Sequence, residues 1–416
     1  MADVLLGQKI EGSPTVVAFS GEASIFAYGT IHGEVYLRQL VPGCEVSPSV
    51  SFDSDICEVD NPYYPGTQLL AMCQPHSSSI RILIWLEDAT LLSVDTKGIV
   101  AITQFKGVED VVDLLTNCKE TCSRDAPMSN VSFTIVSIQN SICTHPISHA
   151  KEFLWKDDLY IAFGDEEGYI AITKALDDFK GLTVLQTLDD AGDYISGIEW
   201  SDFRGQLYAS SGDGTVYKYS VFHRETERLK SLRFKLMDNS SPEDCELTCL
   251  SMDPNGRYLY AGTSTGHLFI YSIKDVSLPT NKVRTGSKNV EQMVHVFENL
   301  FLVGSETGIV RLVGTQPPTV YGIFCHLFKD PVLILTLATD GSLAVVASFD
   351  LKLYMLDCTW IKEMVDGATM TSEPGAGITG AAEPVKKRST KKITKQQARS
   401  KVPTQARRQA FFSDLF

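Results

Sequence analysis

Short apolar segments separated by glycine-bearing turns recur along most of this chain. Each segment covers four to six residues, which is too short for a stable helix and is typical of β-strands. One unit consists of an apolar strand, a turn, a second strand ending in small residues, a turn with glycine, and a third strand. Glycine at that later turn supplies the positive φ that a tight hairpin needs. The pattern predicts an all-β protein.

Seven copies of this unit can be aligned by the turn before the third strand. The turns fall at residues 33, 98, 168, 214, 266, 308 and 351, and the last copy lacks the glycine. The later copies are 42 to 52 residues apart, close to the ~40–45 residues of a four-stranded WD-type blade. Because one blade cannot bury both of its faces, such blades stack around an axis. We therefore predict a seven-bladed WD40-type β-propeller over residues 1–365.

The first two intervals, of 65 and 70 residues, are longer than one blade needs. They predict insertions near residues 45–65 and 107–130, placed as loops on the rim of the propeller, with a short helix at 108–116. Loops of this kind frequently carry function. In later blades, Asp253-Pro254-Asn255-Gly256 and Asp340-Gly341 predict turns between the first and second strands.

Charge is distributed unevenly between the predicted propeller and the C-terminal region. The chain has a net charge of −14, yet residues 384–416 contain ten Lys or Arg and one acid, which leaves −23 for residues 1–383. Residues 366–416 are small, polar and basic, so they predict a flexible tail. An acidic body binds phosphate backbones poorly, whereas a basic tail suits nuclear import or RNA contact.

The tail contains two kinds of candidate functional residue. Phe411, Phe412 and Leu415 form an apolar element at its end, and we interpret them as docking residues, either for the propeller itself or for a groove on a partner. The candidate nuclear-targeting or RNA-contact residues are Lys386, Lys387, Arg388, Lys391, Lys392, Lys395, Arg399, Lys401, Arg407 and Arg408.

The sequence also bears on the cellular compartment. The N-terminal residues do not have the basic and apolar regions of a secretory signal, and no window approaches the ~20 apolar residues of a membrane helix. Four cysteines, Cys73, Cys249, Cys325 and Cys358, lie inside apolar strand-like segments, where free cysteine behaves as a small hydrophobe. We expect an intracellular protein with no membrane partner, without disulfides and monomeric on its own.

No motif for catalysis or cofactor binding emerges from the sequence. Phosphate loops, nucleophile elbows and dinucleotide fingerprints are missing, so we expect neither an enzyme nor a cofactor. Gly212-Asp213-Gly214-Thr215 occupies the repeated hairpin turn and is interpreted as structural. Aromatic residues recur at similar blade positions and are interpreted as packing between blades. They are Tyr36, Tyr217, Tyr219, Phe269 and Tyr271.

One cluster has the residue types of a zinc site. Its members are Cys118, Cys122, Cys143, His145 and His149. The first pair has C-x3-C spacing rather than the commoner C-x2-C, and a strand-like run at 131–138 separates the two halves. We favour free rim cysteines beside histidines at a blade edge and predict no metal site, although the sequence does not decide between these interpretations.

With the repeats placed, the chain resembles the WD repeat-containing protein 55 family of nucleolar ribosome-biogenesis factors. The resemblance is carried by DYISGIEWSDFRGQLYASSGDGTVYKYSV (193–221), LTCLSMDPNGRYLYAGTSTGHLFIYS (247–272), EQMVHVFENLFLVGSETGIVRLV (291–313) and the basic tail with its late Phe-Phe-x-x-Leu element. It implies a nucleolar scaffold for protein partners and pre-ribosomal RNA, with no catalytic residues to transfer.

This chain departs from ordinary WD repeats in two ways. The Trp-Asp ending is missing, and so is the Gly-His dipeptide that normally opens a blade. We therefore do not expect the His-Asp hydrogen-bond network of well-formed blades. A second function stays open, that of an adaptor presenting substrates to a ubiquitin ligase or a signalling complex. The two functions differ in whether the tail is needed: a nucleolar scaffold should require it for nucleolar accumulation, and an adaptor should not.

Overall fold

Seven antiparallel sheets of four strands each make up the part of the chain that the structure describes, which confirms the predicted seven-bladed propeller. The computed structural model describes residues 4–9, 12–21, 24–40, 67–87, 89–108, 131–222, 232–297, 299–326, 330–348 and 352–361. Within each blade we call the strands a to d in the order in which they pair. Strands a of neighbouring blades contact one another all around the ring, so they lie innermost and strands d lie outside.

The first three blades contain strands β2 to β13. Blade 1 is β2 (Pro14–Phe19), β3 (Ile25–Thr30), β4 (Val35–Leu40) and β5 (Thr67–Cys73). Blade 2 is β6 (Ile80–Glu87), β7 (Thr90–Asp95), β8 (Val100–Lys106) and β9 (Ser132–Gln139). Blade 3 is β10 (Ile147–Trp155), β11 (Asp158–Asp165), β12 (Ile170–Ala175) and β13 (Leu182–Leu188), with a short 3-10 helix, Asp177–Phe179, before its last strand.

The next three blades follow the same plan. Blade 4 is β14 (Ile195–Ser201), β15 (Gln206–Ser211), β16 (Val216–Val221) and β17 (Phe234–Asn239). Blade 5 is β18 (Leu247–Met252), β19 (Tyr258–Thr263), β20 (His267–Ser272) and β21 (Asn281–Arg284). Blade 6 is β22 (Gln292–Phe297), β23 (Leu300–Gly304), β24 (Ile309–Thr315) and β25 (Pro318–His326).

Blade 7 joins the two ends of the propeller sequence. It consists of β26 (Ile334–Leu337), β27 (Leu343–Ala347), β28 (Lys352–Asp357) and, as its outer strand, β1 (Val4–Lys9). The register pairs Gly7 with Tyr354 and Lys9 with Lys352. The first strand of the chain therefore completes the last blade, and this pairing closes the ring without a free sheet between its ends.

The hydrophobic core is divided among the blade interfaces. Seven clusters of buried apolar side chains occur, one between each pair of neighbouring blades. The five strand aromatics predicted to pack between blades are all buried there, and Tyr219 and Tyr271 are fully inaccessible to solvent. Burial of this apolar area at about 25 cal/mol per Å² is the main force holding the blades together.

Glycines at the end of strand b allow neighbouring blades to approach closely. A Cβ on Gly164 would lie 2.5 Å from Ile195 of blade 4, and one on Gly262 would lie 2.6 Å from Val290, just before blade 6. Real Cβ contacts are essentially never shorter than 3.0 Å. These small residues at the ends of the second strands, visible in the sequence, are therefore required by packing between blades.

Side-chain hydrogen bonds also link neighbouring blades. Near the axis, strand a begins with a β-bulge in blades 1 to 5. In two of these, Ser148 donates to the carbonyl of Ile195 at 2.7 Å and Thr248 donates to that of Val290 at 2.6 Å. At the rim, the amide of Gln139 on β9 bonds both the N–H and the carbonyl of Leu182 on β13. Each bond ties one blade to the next.

Several sequence predictions can be located in this architecture. The turns predicted at 253–256 and 340–341 connect β18 to β19 and β26 to β27. The predicted insertions fall between β4 and β5 and between β8 and β9, mostly outside the described residues, and of the predicted helix only buried Val108 is described. The tail beyond residue 361 also lies outside them. Within the described part of the chain, no helix has the length and hydropathy needed to span a membrane.

Candidate functional site: the two faces of the propeller

The propeller presents two faces with different chemistry. The bc face consists of the turns between strands b and c and the loops that enter each blade. The ab face consists of the turns between strands a and b and the connections between strands c and d. Because each blade repeats the same strand order, corresponding residues of all seven blades reach the same face.

A buried oxygen-bearing residue at the end of strand b organises the bc face. It stands three positions before the turn glycine, and that glycine has positive φ in the six blades where the turn is described. Its side chain accepts backbone N–H groups of the turn. Asp95 accepts those of Lys97 and Ile99, each at 2.9 Å, and Thr263 accepts that of His267 at 2.9 Å. In the six blades whose turn is described, the capping residues are Thr30, Asp95, Asp165, Ser211, Thr263 and Ser305.

Gly212-Asp213-Gly214-Thr215 is one of these hairpin turns, as the sequence predicts. It connects β15 to β16 and Gly214 has a φ of 84°. Asp213 accepts the N–H of Thr215 at 2.9 Å and the hydroxyl of Tyr217 at 2.6 Å. The N–H of Gly192, in the loop that enters blade 4, also donates to Asp213 at 2.9 Å, so both carboxylate oxygens are engaged in structural hydrogen bonds.

The expectation that no His-Asp network occurs is wrong for blade 2, where a buried histidine, two serines and an aspartate come together. In blade 2, His76 Nε2 lies 2.7 Å from the hydroxyl of Ser93, and His76 Nδ1 lies 3.6 Å from Asp95. Ser78 donates to Asp95 at 2.6 Å. All four side chains are buried. Sequence reasoning missed this network because it looked for Gly-His and Trp-Asp dipeptides, and neither accompanies these residues.

Electrostatics distinguish the Asp95 cap from its hydroxyl counterparts. Burial by itself would raise the pKa of Asp95, but His76, Ser78 and the N–H of Ile99 stabilise the carboxylate and lower the pKa from 3.8 to about 2. In blade 3, His145 Nδ1 similarly lies 3.4 Å from the buried carboxylate of Asp165. His76 is therefore part of the buried structure of blade 2, whereas His145 is partly exposed and its Nδ1 also lies 3.1 Å from the hydroxyl of Thr144.

The candidate zinc residues do not form a site among the described side chains. His145 is paired with Asp165, and the Cys143 thiol, whose pKa burial raises to about 12, points to the carbonyl of Phe163 at 3.9 Å. Burial lowers the pKa of His149 on β10 to about 4. Cys118 and Cys122 lie outside the described residues. No group of three potential metal ligands occurs in the described ranges. Cys73, Cys249, Cys325 and Cys358 are buried, as expected for thiols that pack as small hydrophobes.

Strand a of blades 3 and 4 places opposite charges next to each other near the axis. Lys151 Nζ lies 3.6 Å from a carboxylate oxygen of Glu199, and this carboxylate raises the pKa of Lys151. Arg81 of blade 2 forms a similar link to Glu166 of blade 3. These pairs connect successive blades and satisfy each other, so they stabilise the ring rather than offer convergent groups for catalysis.

The bc face of blades 3 to 5 is strongly acidic. Its turns and entering loops contain no Lys or Arg, and Arg81 and Lys282, which reach them from strands, each pair with a glutamate. Such a surface repels phosphate backbones. The acidic residues are Glu166, Glu167, Asp189, Asp190, Asp193, Asp213, Glu243, Asp244 and Glu246.

Among the described residues, none of the large exposed apolar side chains lies on the bc face. Some lie on the outer strands, such as Met237, which is 61% exposed. The others lie on the ab face of blades 3 to 5. They are Leu154, Leu176, Phe203, Phe222 and Leu278. No sequence pattern singled them out, because one apolar residue in a turn is unremarkable until its neighbours in space are known.

Comparison with known proteins agrees with this architecture. A protein from Arabidopsis thaliana is 28% identical over 229 residues, which cover 54% of this chain and 58% of the relative. The resemblance is to WD repeat-containing protein 55. A homologue of that protein from Dictyostelium discoideum is 26% identical over 230 residues, covering 54% of this chain and 52% of the relative. The protein from Rattus norvegicus is 23% identical over 245 residues, or 59% and 60%.

The chain thus spans between half and three fifths of the length of these WD repeat-containing protein 55 relatives. No protein-family model matches the chain. The similarity confirms the resemblance inferred from the repeats and supports a WD-repeat propeller, a fold that is generally non-catalytic and mediates contacts between proteins.

Proposed function

We propose that this chain is a non-catalytic scaffold in ribosome biogenesis, acting in pre-rRNA processing and subunit assembly in the nucleolus. The proposal rests on the similarity to WD repeat-containing protein 55 and on a basic C-terminal region that follows an acidic propeller in the sequence. In this proposal the propeller binds protein partners and the tail contacts pre-ribosomal RNA.

The charge distribution supports assigning protein contacts to the propeller and RNA contacts to the tail. The propeller face formed by the turns and loops of blades 3 to 5 has nine acidic residues, so RNA binding there would cost electrostatic free energy. Ten cations in residues 384–416 suit phosphate contact, and each contact should add slightly less than one unit to the slope of log affinity against log salt. The tail is therefore the part of the chain to test for RNA.

The test compares the full chain with a chain ending at residue 370, using localisation and ultraviolet crosslinking to RNA. We expect nucleolar accumulation and recovery of pre-rRNA with the full chain, and loss of both after truncation. A variant with Lys386, Lys387, Lys391, Lys392 and Lys395 changed to Gln should behave like the truncated chain, whereas the same positions changed to Arg should retain both properties because the charge is kept.

Uniform cytoplasmic signal and no pre-rRNA with the full chain would contradict the proposal. That result would instead favour the adaptor function, in which the propeller presents substrates to a ubiquitin ligase or signalling complex and the tail is dispensable.

A further inference from the structure

The outer half of blade 6 turns one cation and two apolar side chains toward blade 5, and we call these residues, Arg311, Val320 and Ile323, the blade 6 row. We propose that the blade 6 row binds a short apolar segment of a protein partner, with an aspartate or glutamate of that segment paired to Arg311. The inference rests on the proposed scaffold function in one respect, because it assumes that the propeller has a protein partner.

The strand register places the blade 6 row on a single face of the sheet. Arg311 of β24 pairs with Ile323 of β25, and Val313 pairs with Val320. Paired residues of antiparallel strands project from the same face, and so do residues two apart on one strand. A β-bulge between the two pairs keeps Val320 and Ile323 in phase. Because Val313 packs in one cluster with Val283 of blade 5, this face is the one turned toward blade 5.

Blade 5 leaves the outer part of this face uncovered. Its strand d, β21, has four residues, whereas β25 has nine. The connection that precedes β21 is held on the other side, next to blade 4. Lys218 of β16 donates to the carbonyl of Ile273 at 3.0 Å, and the N–H of Ser241 donates to the carbonyl of Ser277 at 2.9 Å. The two apolar members of the row are consequently 41% and 48% exposed.

Arg311 is a partly buried cation without an acid to neutralise it among the described residues. Its guanidinium donates to the hydroxyl of Ser287 at 2.7 Å, in the loop that enters blade 6, and it forms no ion pair within the described ranges. Burial lowers the pKa of Arg311, and no described carboxylate counteracts this. Arg81 and Lys282, by contrast, are each paired with a glutamate.

Other charged groups of blade 6 do not supply the missing partner. Its described acids are Glu291, which accepts the side-chain amide of Asn289 at 2.6 Å, and Glu306, which lies in the turn between strands b and c. Lys288 follows Ser287 in the entering loop and is exposed. The charge that selects an acidic occupant is therefore that of Arg311 itself.

A segment with two apolar side chains and one acid fits both features of the blade 6 row. Covering Val320 and Ile323 removes apolar area from water, and a carboxylate beside Arg311 forms charge-assisted hydrogen bonds. The occupant binds through its side chains rather than as a fifth strand, because two β-bulges interrupt the regular pairing of β25 and make its edge a poor template.

The experiment selects a phage-displayed library of random 12-residue peptides on the full chain, after removal of the peptides that bind Ile323→Asp. This variant keeps the basic tail, so the removal step discards acidic peptides that bind the tail. Affinities of labelled peptides are then measured by fluorescence anisotropy. We expect the recovered peptides to share at least two apolar residues and one Asp or Glu, and Ile323→Asp to weaken their binding about tenfold or more.

A charge exchange tests the role of Arg311. Arg311→Glu should weaken binding about tenfold, and a peptide whose acid is replaced by Lys should bind Arg311→Glu better than it binds the wild type. A structural role of Arg311 would not produce this exchange. Ser287→Ala removes the hydrogen bond of Arg311 within the propeller but keeps the cation, so this variant should bind the original peptides as the wild type does.

Tyr321→Asp is the matched control on the same strand. Tyr321 is 50% exposed, but its ring lies 2.9 Å from the place of a Cβ on Gly314, which faces away from blade 5 because it follows Val313. Its variant should bind the peptides like the wild type. Val320→Ser, a milder change in the row, should weaken binding several-fold. Thermal unfolding of each variant, if unchanged, assigns a loss of binding to the blade 6 row.

Four outcomes would overturn the inference. These are failure to recover peptides after the removal step, recovered peptides without an acid, binding that Arg311→Glu leaves intact, and a dimer in sedimentation that Ile323→Asp abolishes, since a second copy would then occupy the row. The proposed function fails differently. Peptide binding at the blade 6 row without nucleolar pre-rRNA in the wild type contradicts only the proposed function.

Discussion

Blades 2 and 3 build the same turn as blades 5 and 6 with different chemistry. In blades 2 and 3 the capping residue is Asp95 or Asp165, with a histidine beside it. In blades 5 and 6 a hydroxyl of Thr263 or Ser305 occupies that position. The carboxylate caps with a nearby histidine thus lie in the half of the ring with long insertions. The hydroxyl caps lie in the half where the repeats are most regular in sequence.

The difference shows which part of the repeat the fold requires. Every described turn needs a buried acceptor for its backbone N–H groups and a positive-φ glycine three residues later. A hydroxyl can serve as this buried acceptor without any further partner. A buried carboxylate needs compensation for its charge, and for Asp95 the hydroxyl of Ser78 donates a hydrogen bond while His76 Nδ1 lies 3.6 Å away. The spacing between cap and glycine is therefore shared by the six blades whose turn is described, whereas the chemistry of the cap varies between them.

The largest expected effect comes from removing the charged cap. Asp95→Ala leaves Ser78 and the N–H groups of Lys97 and Ile99 without their acceptor and should lower the free energy of unfolding by about 3 kcal/mol. Thr263→Ala should cost about 1 kcal/mol. Chemical denaturation of both variants measures the difference. Equal losses would show that the two kinds of cap are energetically equivalent.

A second pair of variants compares the turn glycines of blades 2 and 5. A Cβ on Gly266 would lie 2.0 Å from the carbonyl oxygen of Ser287, whereas one on Gly98 finds no atom closer than 3.6 Å. Their φ angles are 76° and 77°, so the backbone strain is the same. Gly98→Ala should cost about 1 kcal/mol and Gly266→Ala about 3 kcal/mol in unfolding free energy. A smaller cost for Gly266→Ala than for Gly98→Ala would contradict the close packing of Gly266 against Ser287.

Acid sensitivity should also differ between the two kinds of blade. The folded-state pKa of Asp95, about 2, lies below the ordinary value of 3.8, so its stabilisation is complete above about pH 4 and disappears as the pH falls toward 2. Asp95→Asn should make the melting temperature less dependent on pH between 4 and 2. Thr263→Val should leave that slope unchanged, since a hydroxyl does not titrate there. A steeper slope in Asp95→Asn would refute this assignment.

The smallest effect is expected for one inter-blade hydrogen bond. Ser148→Ala removes the bonds from its hydroxyl to the carbonyls of Gly164 and Ile195 and should lower the unfolding free energy by about 1 kcal/mol. Ser241→Ala, at an exposed position on a loop, is the control and should change it by less than about 0.5 kcal/mol. Chemical denaturation distinguishes them, and equal values would mean that the Ser148 hydroxyl does not tie blade 3 to blade 4.

The number of blades was predictable because the turn before the third strand recurs seven times in the sequence, six times with glycine. The capping acids were not found, although Asp95 and Asp165 stand at the same distance before Gly98 and Gly168 as Thr30 does before Gly33. Aligning the residues before each turn glycine would have revealed them. The motif search failed because it required particular neighbours, such as Trp, that the hydrogen bonds do not need.

Two other features depend on contacts that lie far apart in the chain. β1 pairs with β28, some 345 residues later, so nothing near Val4–Lys9 reveals its place in blade 7. The hydrogen bonds between Gln139 and Leu182 likewise join blades 2 and 3, and nothing in the sequence near either residue indicates them. The functional tail residues, from Lys386 to Arg408 with Phe411, Phe412 and Leu415, remain predictions because they lie outside the described residues.

The central claim is that seven sheets form one closed ring, with β1 as the outer strand of blade 7. Hydrogen exchange followed by mass spectrometry tests it most directly, on peptides covering Val4–Lys9 and Lys352–Asp357. Both peptides should exchange slowly in the intact chain and lose protection together in denaturant, and deletion of residues 1–9 should make Lys352–Asp357 exchange faster. Rapid exchange of Val4–Lys9 in the intact chain, with Lys352–Asp357 unaffected by the deletion, would contradict it.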